Sequence, residues 1–172
     1  VSFRQVVGIL EYKADGSFCM LENRKELILF LLEAKKNTYA SGGNEVEPTR
    51  PGSREHRFAS GEYLYVDSYF GGSSFLGQEA VWFREVPIWG MNYYGRSMTD
   101  RSVSGVPEFL KECLLHVPEF APYRGPRYYR SGALDYSCSW AGDLSSFQGR
   151  EIISSGGTSV YELFFHGGEI IR

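Results

Sequence analysis

Cysteine is scarce in this chain. Cys19, Cys113 and Cys138 are an odd number with no CxxC spacing, which argues against a disulfide framework or a zinc knuckle and leaves reduced, core-packed thiols as the simple expectation. Long apolar runs are also missing. The longest, residues 27–32 (LILFLL), falls far short of the roughly 20 residues that span a bilayer and of most signal h-regions, so a soluble, unsecreted, cytoplasmic protein is expected. Nor is there an excess of positive charge. With a formal net charge of -3, the chain has no global field to gather nucleic acid or anionic membrane, and such partners would need a local patch.

The motifs of common chemistries are absent too. There are three histidines and no GxSxG elbow; no HExxH, HxH or DxDxDG stretch marks a metal site. No metal and no cofactor is therefore expected. His56 lies in a charged stretch, His116 at a helix end and His166 before a Gly-Gly pair, and each has a structural explanation. No low-complexity tract, internal repeat or heptad seam is visible, which leaves the oligomeric state open.

What is present favours strand. Of 172 residues 42% are hydrophobic, enough for a self-sufficient core, and 12 Tyr, 12 Phe and 20 Gly suit pleated faces closed by turns. Residues 1–20 read as a small hairpin or an extension, and residues 21–172 as one domain. Apolar residues at 27, 30, 31 and 34 predict a helix over 22–37. A loop rich in Pro, Gly and charge follows, with a short strand at 45–47, and then strands over 62–70, 75–83 and 87–94. A second helix over 107–116 has Pro107 in its first turn and Pro118 beyond its end. From Tyr128 the chain reads as an antiparallel meander with strands at 133–140, 144–153, 159–166 and 169–171. The fold class expected is α+β: a curved, mostly antiparallel sheet with two packed helices in a single domain.

The stretch PIWGMNYYGR at 87–96 sets one amide, Asn92, and one cation, Arg96, among aromatics. A two-residue turn at Glu85 and Val86 would pair Glu79 with Asn92, and Trp82 with Trp89, in a hairpin apolar on both faces. Asp67, Tyr69, Glu79, Asn92, Tyr94 and Arg96, walled by Trp82 and Trp89, then match the usual recipe of a pocket: apolar sides with a few placed polar groups. A buried, self-satisfied network would use the same residues. Glu79 or Asp67 could serve as a general base with Arg96 as an anion anchor. A weaker candidate is YRGPRYYR, where Arg124, Arg127 and Arg130 alternate with tyrosines in a pattern suited to phosphate or single-stranded nucleic acid; the acidic balance weighs against it.

FLLEAKKNTYASGGNEVEPTRPGSREHRF, YVDSYFGGSSFLGQEAVW, PIWGMNYYGR, PYRGP and FHGGEI, in that order, resemble the bacterial and archaeal family catalogued as domain of unknown function 5680, over about residues 27–171. The resemblance brings no established activity. Similar domains occur alone or behind a helix-turn-helix module, which implies a sensory or interaction role. Here no such module precedes the domain, so any DNA recognition would run through a partner. The sequence thus points to a module that binds a small ligand or a protein partner, with an enzyme of unknown type in the same pocket as the alternative.

Overall fold

The computed structural model describes residues 20–38, 45–99 and 103–171; the hairpin expected within residues 1–20 lies outside them. Helix α1 runs Met20–Asn37. Leu27, Phe30, Leu31 and Ala34 form its apolar stripe, and all four are buried. Its end is set locally, where the Asn37 amide donates to the Glu33 carbonyl and Thr38 Oγ1 to that of Ala34, each at 2.8 Å. Helix α2 runs Val106–Leu115, entered from Gly105 at φ 83° with Pro107 in its first turn, and buries Phe109, Leu110, Cys113 and Leu114. Each Leu or Phe so buried contributes about 1.5–3 kcal/mol.

Among the described residues nine strands make up most of the remainder: β1 Glu45–Val46, β2 Arg54–Ser60, β3 Tyr63–Gly71, β4 Ser74–Phe83, β5 Val86–Ser97, β6 Tyr128–Ser131, β7 Leu134–Asp143, β8 Ser146–Ser155 and β9 Thr158–Glu169. They form one antiparallel sheet in the order β1-β2-β3-β4-β5-β9-β8-β7-β6. The α+β expectation therefore holds in coarse form, with strand dominant. Tyr65, Val81, Met91, Tyr136, Ile153, Leu163 and Phe165 share one core with the stripes of both helices, so the sheet has an inner, helix-covered face and an outer face.

Three expected segments differ. The stretch read as a loop holds β2, whose residues REHRFAS carry no apolar alternation; it is a strand because all seven pair with β3. The meander begins at Tyr128 as expected, but its first strand, β6, lies ahead of those placed from residue 133. Gly167 and Gly168 make no turn, and β9 runs through them. A Cβ on Gly167 would lie 2.2 Å from the Gly90 carbonyl oxygen, so glycine there lets β5 and β9 approach closely.

The β4–β5 hairpin departs most from expectation. Its turn residues are Arg84 and Glu85, both at positive φ (47° and 66°), which places Phe83 opposite Val86 and Trp82 opposite Pro87. A bulge then leaves Ile88 without a partner, and the register continues as Val81 with Trp89, Glu79 with Met91 and Gln78 with Asn92. Glu79 and Asn92 consequently stand on opposite faces, because a shift of one residue exchanges the two sides of a strand. Nor is the hairpin covered on both sides: Leu76, Gln78, Asn92, Tyr94 and Arg96 are exposed on its outer face.

The register also discloses an internal duplication that the sequence reading missed. Glu79 pairs with Met91 and Glu151 with Leu163, so both partners recur after 72 residues. The bulge between Val81 and Trp82 recurs at the same interval between Ile153 and Ser154. Phe75-Leu-Gly77-Gln-Glu79 answers to Phe147-Gln-Gly149-Arg-Glu151. On β3 and β7, Tyr65, Asp67 and Tyr69 answer to Tyr136, Cys138 and Trp140, which take the same partners 72 residues on. Among the described residues each half has a helix followed by four corresponding antiparallel strands, β2–β5 and β6–β9, with the two-residue β1 added in the first, and the halves join where Tyr93 pairs with its own counterpart, Phe165. Exposed and loop positions have diverged too far for the repeat to show in the sequence.

Candidate functional site

The two halves are not equally polar. In the second, Glu151 is fully buried and saturated. Arg124 Nη2 donates to Oε1 at 2.7 Å and Nε to Oε2 at 3.1 Å, while the Tyr136 and Tyr161 hydroxyls donate at 2.7 and 2.9 Å. Burial opposes the Arg124 charge, but the Glu151 carboxylate prevails and holds the guanidinium protonated well above its ordinary range. This is a closed core network.

In the first half the counterpart carboxylate, Glu79, meets Lys35 from α1 and the Tyr65 hydroxyl. Burial, the largest influence, pulls the Lys35 ammonium below its usual range although Glu79 stands beside it. Here, however, the network continues. Asp67 replaces the counterpart Cys138, Tyr93 replaces Phe165, and the Tyr93 hydroxyl donates to Asp67 Oδ1 at 2.6 Å. His56 lies opposite Asp67 on β2, and Asp67 opposite Glu79 on β4, so the three form one cross-strand row on the inner face.

This row borders a cavity of about 730 Å³ between the sheet and the two helices, lined by Lys35, His56, Asp67, Glu79, Tyr93 and Arg124, with Tyr69, Phe75 and Tyr161 among its walls. Its size and its mixture of apolar walls with converging polar groups are those of a small-molecule site. Among the described residues no group of three His, Cys, Asp or Glu is placed to hold a metal ion.

Asp67 is the titratable centre of the site. Burial first, and then the neighbouring Glu79 charge, raise its pKa from 3.8 to about 7. Below pH of about 4 the carboxyl is protonated in both folded and unfolded chains. As pH rises from there to about 7 only the unfolded chain ionises, so the stability contribution is lost with rising pH. The unfolding free energy of the wild type relative to Asp67→Asn should accordingly fall by on the order of 2–4 kcal/mol across that window. Urea denaturation of both proteins at several pH values measures it; a constant difference would refute the assignment.

Of the residues singled out from the sequence, the cavity brings together Asp67, Tyr69 and Glu79, and also Arg124 from the arginine-tyrosine stretch. Trp89 is fully buried in the core, stacked on Phe147 with centroids 5.6 Å apart, and does not line the cavity. Trp82 pairs with Leu64 and Pro87 and is likewise not a wall. Asn92 accepts a hydrogen bond from Gln78 on the outer face, where Tyr94 is exposed. Arg96 pairs there with Glu162, which also holds Arg150. The arginines do not converge on a phosphate site: Arg124 is committed to Glu151, Arg127 stacks over Trp140 at 4.1 Å and Arg130 pairs with Asp135.

Among the polar cavity residues that sequence reading did not place there are Lys35, His56, Tyr93 and Arg124. Lys35 had a signal, since it follows Leu27 and Leu31 at intervals of four on the buried stripe. His56 had none, because the strand that carries it has no apolar alternation.

The fold and the site define a duplicated α+β protein with one described polar cavity between its sheet and its two helices, walled by residues of both halves. The family model of a domain of unknown function, DUF5680, matches residues 67–170, and the chain belongs to that family. The matched span runs from the middle of β3 into the residue after β9; α1, β1 and β2 lie outside it, although the resemblance visible in the sequence begins near residue 27. No curated protein and no solved structure matches the chain. Among the described residues no helix is long and apolar enough to cross a membrane.

Proposed function

We propose that the protein binds a small molecule in the cavity. One observation carries this: where the first half borders the cavity it has a buried Asp67–Tyr93 pair, and its duplicate has Cys138 and Phe165 in those places. The fold does not need these polar groups, since the duplicate is built without them, and burying a carboxyl costs stability unless it is compensated. Retention of such a pair beside a cavity is explained by a ligand that uses it. The buried free thiols of Cys113 and Cys138 suit a reducing, cytoplasmic setting for such a module.

A thermal-shift screen against metabolites tests this proposal. A true ligand at a hundred times its Kd should stabilise the wild type by about 2.7 kcal/mol, should lose most of that effect with Asp67→Asn, and should keep it with Asn92→Ala on the outer face. No shift across a broad library, or a shift indifferent to Asp67→Asn, would sink the proposal. Acid–base catalysis in the same pocket is favoured by one feature, the Asp67 carboxyl poised near neutrality. Turnover of a bound ligand that Asp67→Asn abolishes without weakening affinity would establish it.

A further inference from the structure

Two buried groups of opposite charge border the cavity with bonding capacity left over. The first is Arg124, from the segment between α2 and β6, only 8% exposed. Its guanidinium is planar, with five N–H donors in fixed directions. Nε and Nη2 are engaged side-on by Glu151, so Nη1 is turned away from that carboxylate. Among the described residues Nη1 has no hydrogen-bond partner, yet it is not sealed in by protein, and Arg124 lines the cavity. One N–H of Nη1 and the remaining one of Nη2 run parallel, a second fork of the kind that holds a carboxylate in two bonds. Glu151 fixes this fork in advance, so little ordering is needed when it is used.

The second group is Asp67, 5% exposed. Oδ1 accepts from the Tyr93 hydroxyl, while Oδ2 has no partner among the described residues and is likewise not sealed in. Lys35, whose charge reaches Asp67, is engaged by Glu79. Around Tyr93 the cations Lys35 and Arg124 thus face the carboxylates Asp67, Glu79 and Glu151, and one negative charge is left without a counterion of its own. It falls to Asp67, where burial and then the Glu79 charge oppose ionisation.

Tyr93 sets the spacing of the two groups. The guanidinium carbon of Arg124 lies 5.7 Å from the Tyr93 ring centroid, and the hydroxyl of the same ring holds Asp67. Fork and carboxylate therefore stand about one ring apart, within the span of one compact molecule. The other walls include apolar side chains, among them Phe75 of β4 and Val106, Leu110 and Leu114 of α2. A ligand carboxylate alone would add to the unbalanced negative charge, and an amine alone would leave the fork unused. A molecule with both, a short distance apart, satisfies each group and brings no net charge.

We propose that the cavity takes a zwitterionic amino acid with an apolar side chain, its carboxylate on the outer fork of Arg124 and its ammonium on Asp67. This rests on the small-molecule reading above and specifies its ligand class. The ammonium end exists once per chain, because the second half has Cys138 and Phe165 in place of Asp67 and Tyr93, so one ligand binds per chain.

Matched ligands test both ends. L-leucine, L-valine and L-phenylalanine are titrated into the full-length protein by calorimetry. For leucine the comparison adds 4-methylpentanoate, which lacks the ammonium, and 3-methylbutylamine, which lacks the carboxylate. At least one of the amino acids should bind with a stoichiometry of one, and its two truncated analogues roughly tenfold or more weakly. Asp67→Asn should reduce the affinity of the amino acid to that of its carboxylate analogue. Arg124→Lys, which keeps a cation for Glu151 but has no fork, should reduce it to that of the amine. A truncated analogue that binds as tightly as its parent, amino-acid binding indifferent to Asp67→Asn, or no binding of any of the three would overturn the proposal. The wild-type series decides the matter even if Arg124→Lys fails to fold. If another metabolite binds in an Asp67-dependent way while amino acids do not, the amino-acid class fails and the small-molecule function stands; if neither screen gives binding, both fail.

Discussion

Replacing Arg124 by alanine is expected to lower the unfolding free energy by about 3–5 kcal/mol. The substitution would remove two of the four donors that satisfy Glu151 and leave a carboxylate, 0% exposed, with only the Tyr136 and Tyr161 hydroxyls. Glu151 itself does not line the cavity, and Ile153, Leu163 and Tyr136 around it belong to the buried core, so water admitted at the Arg124 wall restores only part of the loss. Lys35→Ala should cost less, about 1–3 kcal/mol, although Lys35 meets the duplicate glutamate. Glu79 borders the cavity, where water can replace the lost partner. The double variant Arg124→Met with Glu151→Leu should recover only part of the loss, since an apolar pair of similar volume avoids desolvating two charges but strands the Tyr136 and Tyr161 hydroxyls. Urea denaturation measures all three. A cost for Arg124→Ala no greater than for Lys35→Ala would show that the two networks are not closed and open versions of one design.

Alanine at Gly142 or Gly71 should destabilise by about 3 kcal/mol or more, combining a left-handed backbone with a clash that no side-chain rotation relieves. Gly142 has φ 89° and a Cβ there would sit 2.0 Å from the Ser146 carbonyl oxygen; Gly71 has φ 97° and the contact would be 2.2 Å from that of Ser74. Both obstacles are backbone. Gly156 is the control, with φ 55° and nothing within 4 Å of an added methyl, so Gly156→Ala should cost only about 1–2 kcal/mol. Comparable losses at all three sites in urea titrations would mean that the chain at Gly71 and Gly142 yields easily and that the repeated corner is not rigid.

The long elements are legible in the sequence because their signals are local. The stripe at Leu27, Phe30, Leu31 and Ala34, and the proline-bounded α2, can be found by counting residues, and both helices fall within two residues of expectation. Strand β2 is illegible because its residues look like a loop until β3 pairs with them. The candidate site is half legible. Asp67, Tyr69 and Glu79 stand out by residue type in aromatic strands, and they do meet at one cavity. Asn92, Tyr94 and Arg96 would join them in any two-residue hairpin without a bulge. Moving the turn to Arg84 and Glu85 shifts the partners by two and keeps the faces; the one extra residue of the bulge at Ile88 moves them to the outer face.

The content of the fold is written in the sequence alone: strand-rich composition, two amphipathic helices, and a tract from Asp67 to Arg96 dense in polar and aromatic groups. These follow from propensity and periodicity, which act over a few residues. Which of those groups share a face is settled in three dimensions, because that depends on bulges and on pairing across tens of residues. The duplication, too, emerges only there. The 72-residue spacing is kept in strand register and in a few inward positions such as Phe75 and Phe147 or Glu79 and Glu151, where packing permits little change, while the outward positions were free to diverge. The difference between the halves, an Asp67–Tyr93 pair beside open space in one and Tyr123 packed on Phe147 in the other, exists only once the two are superposed in space.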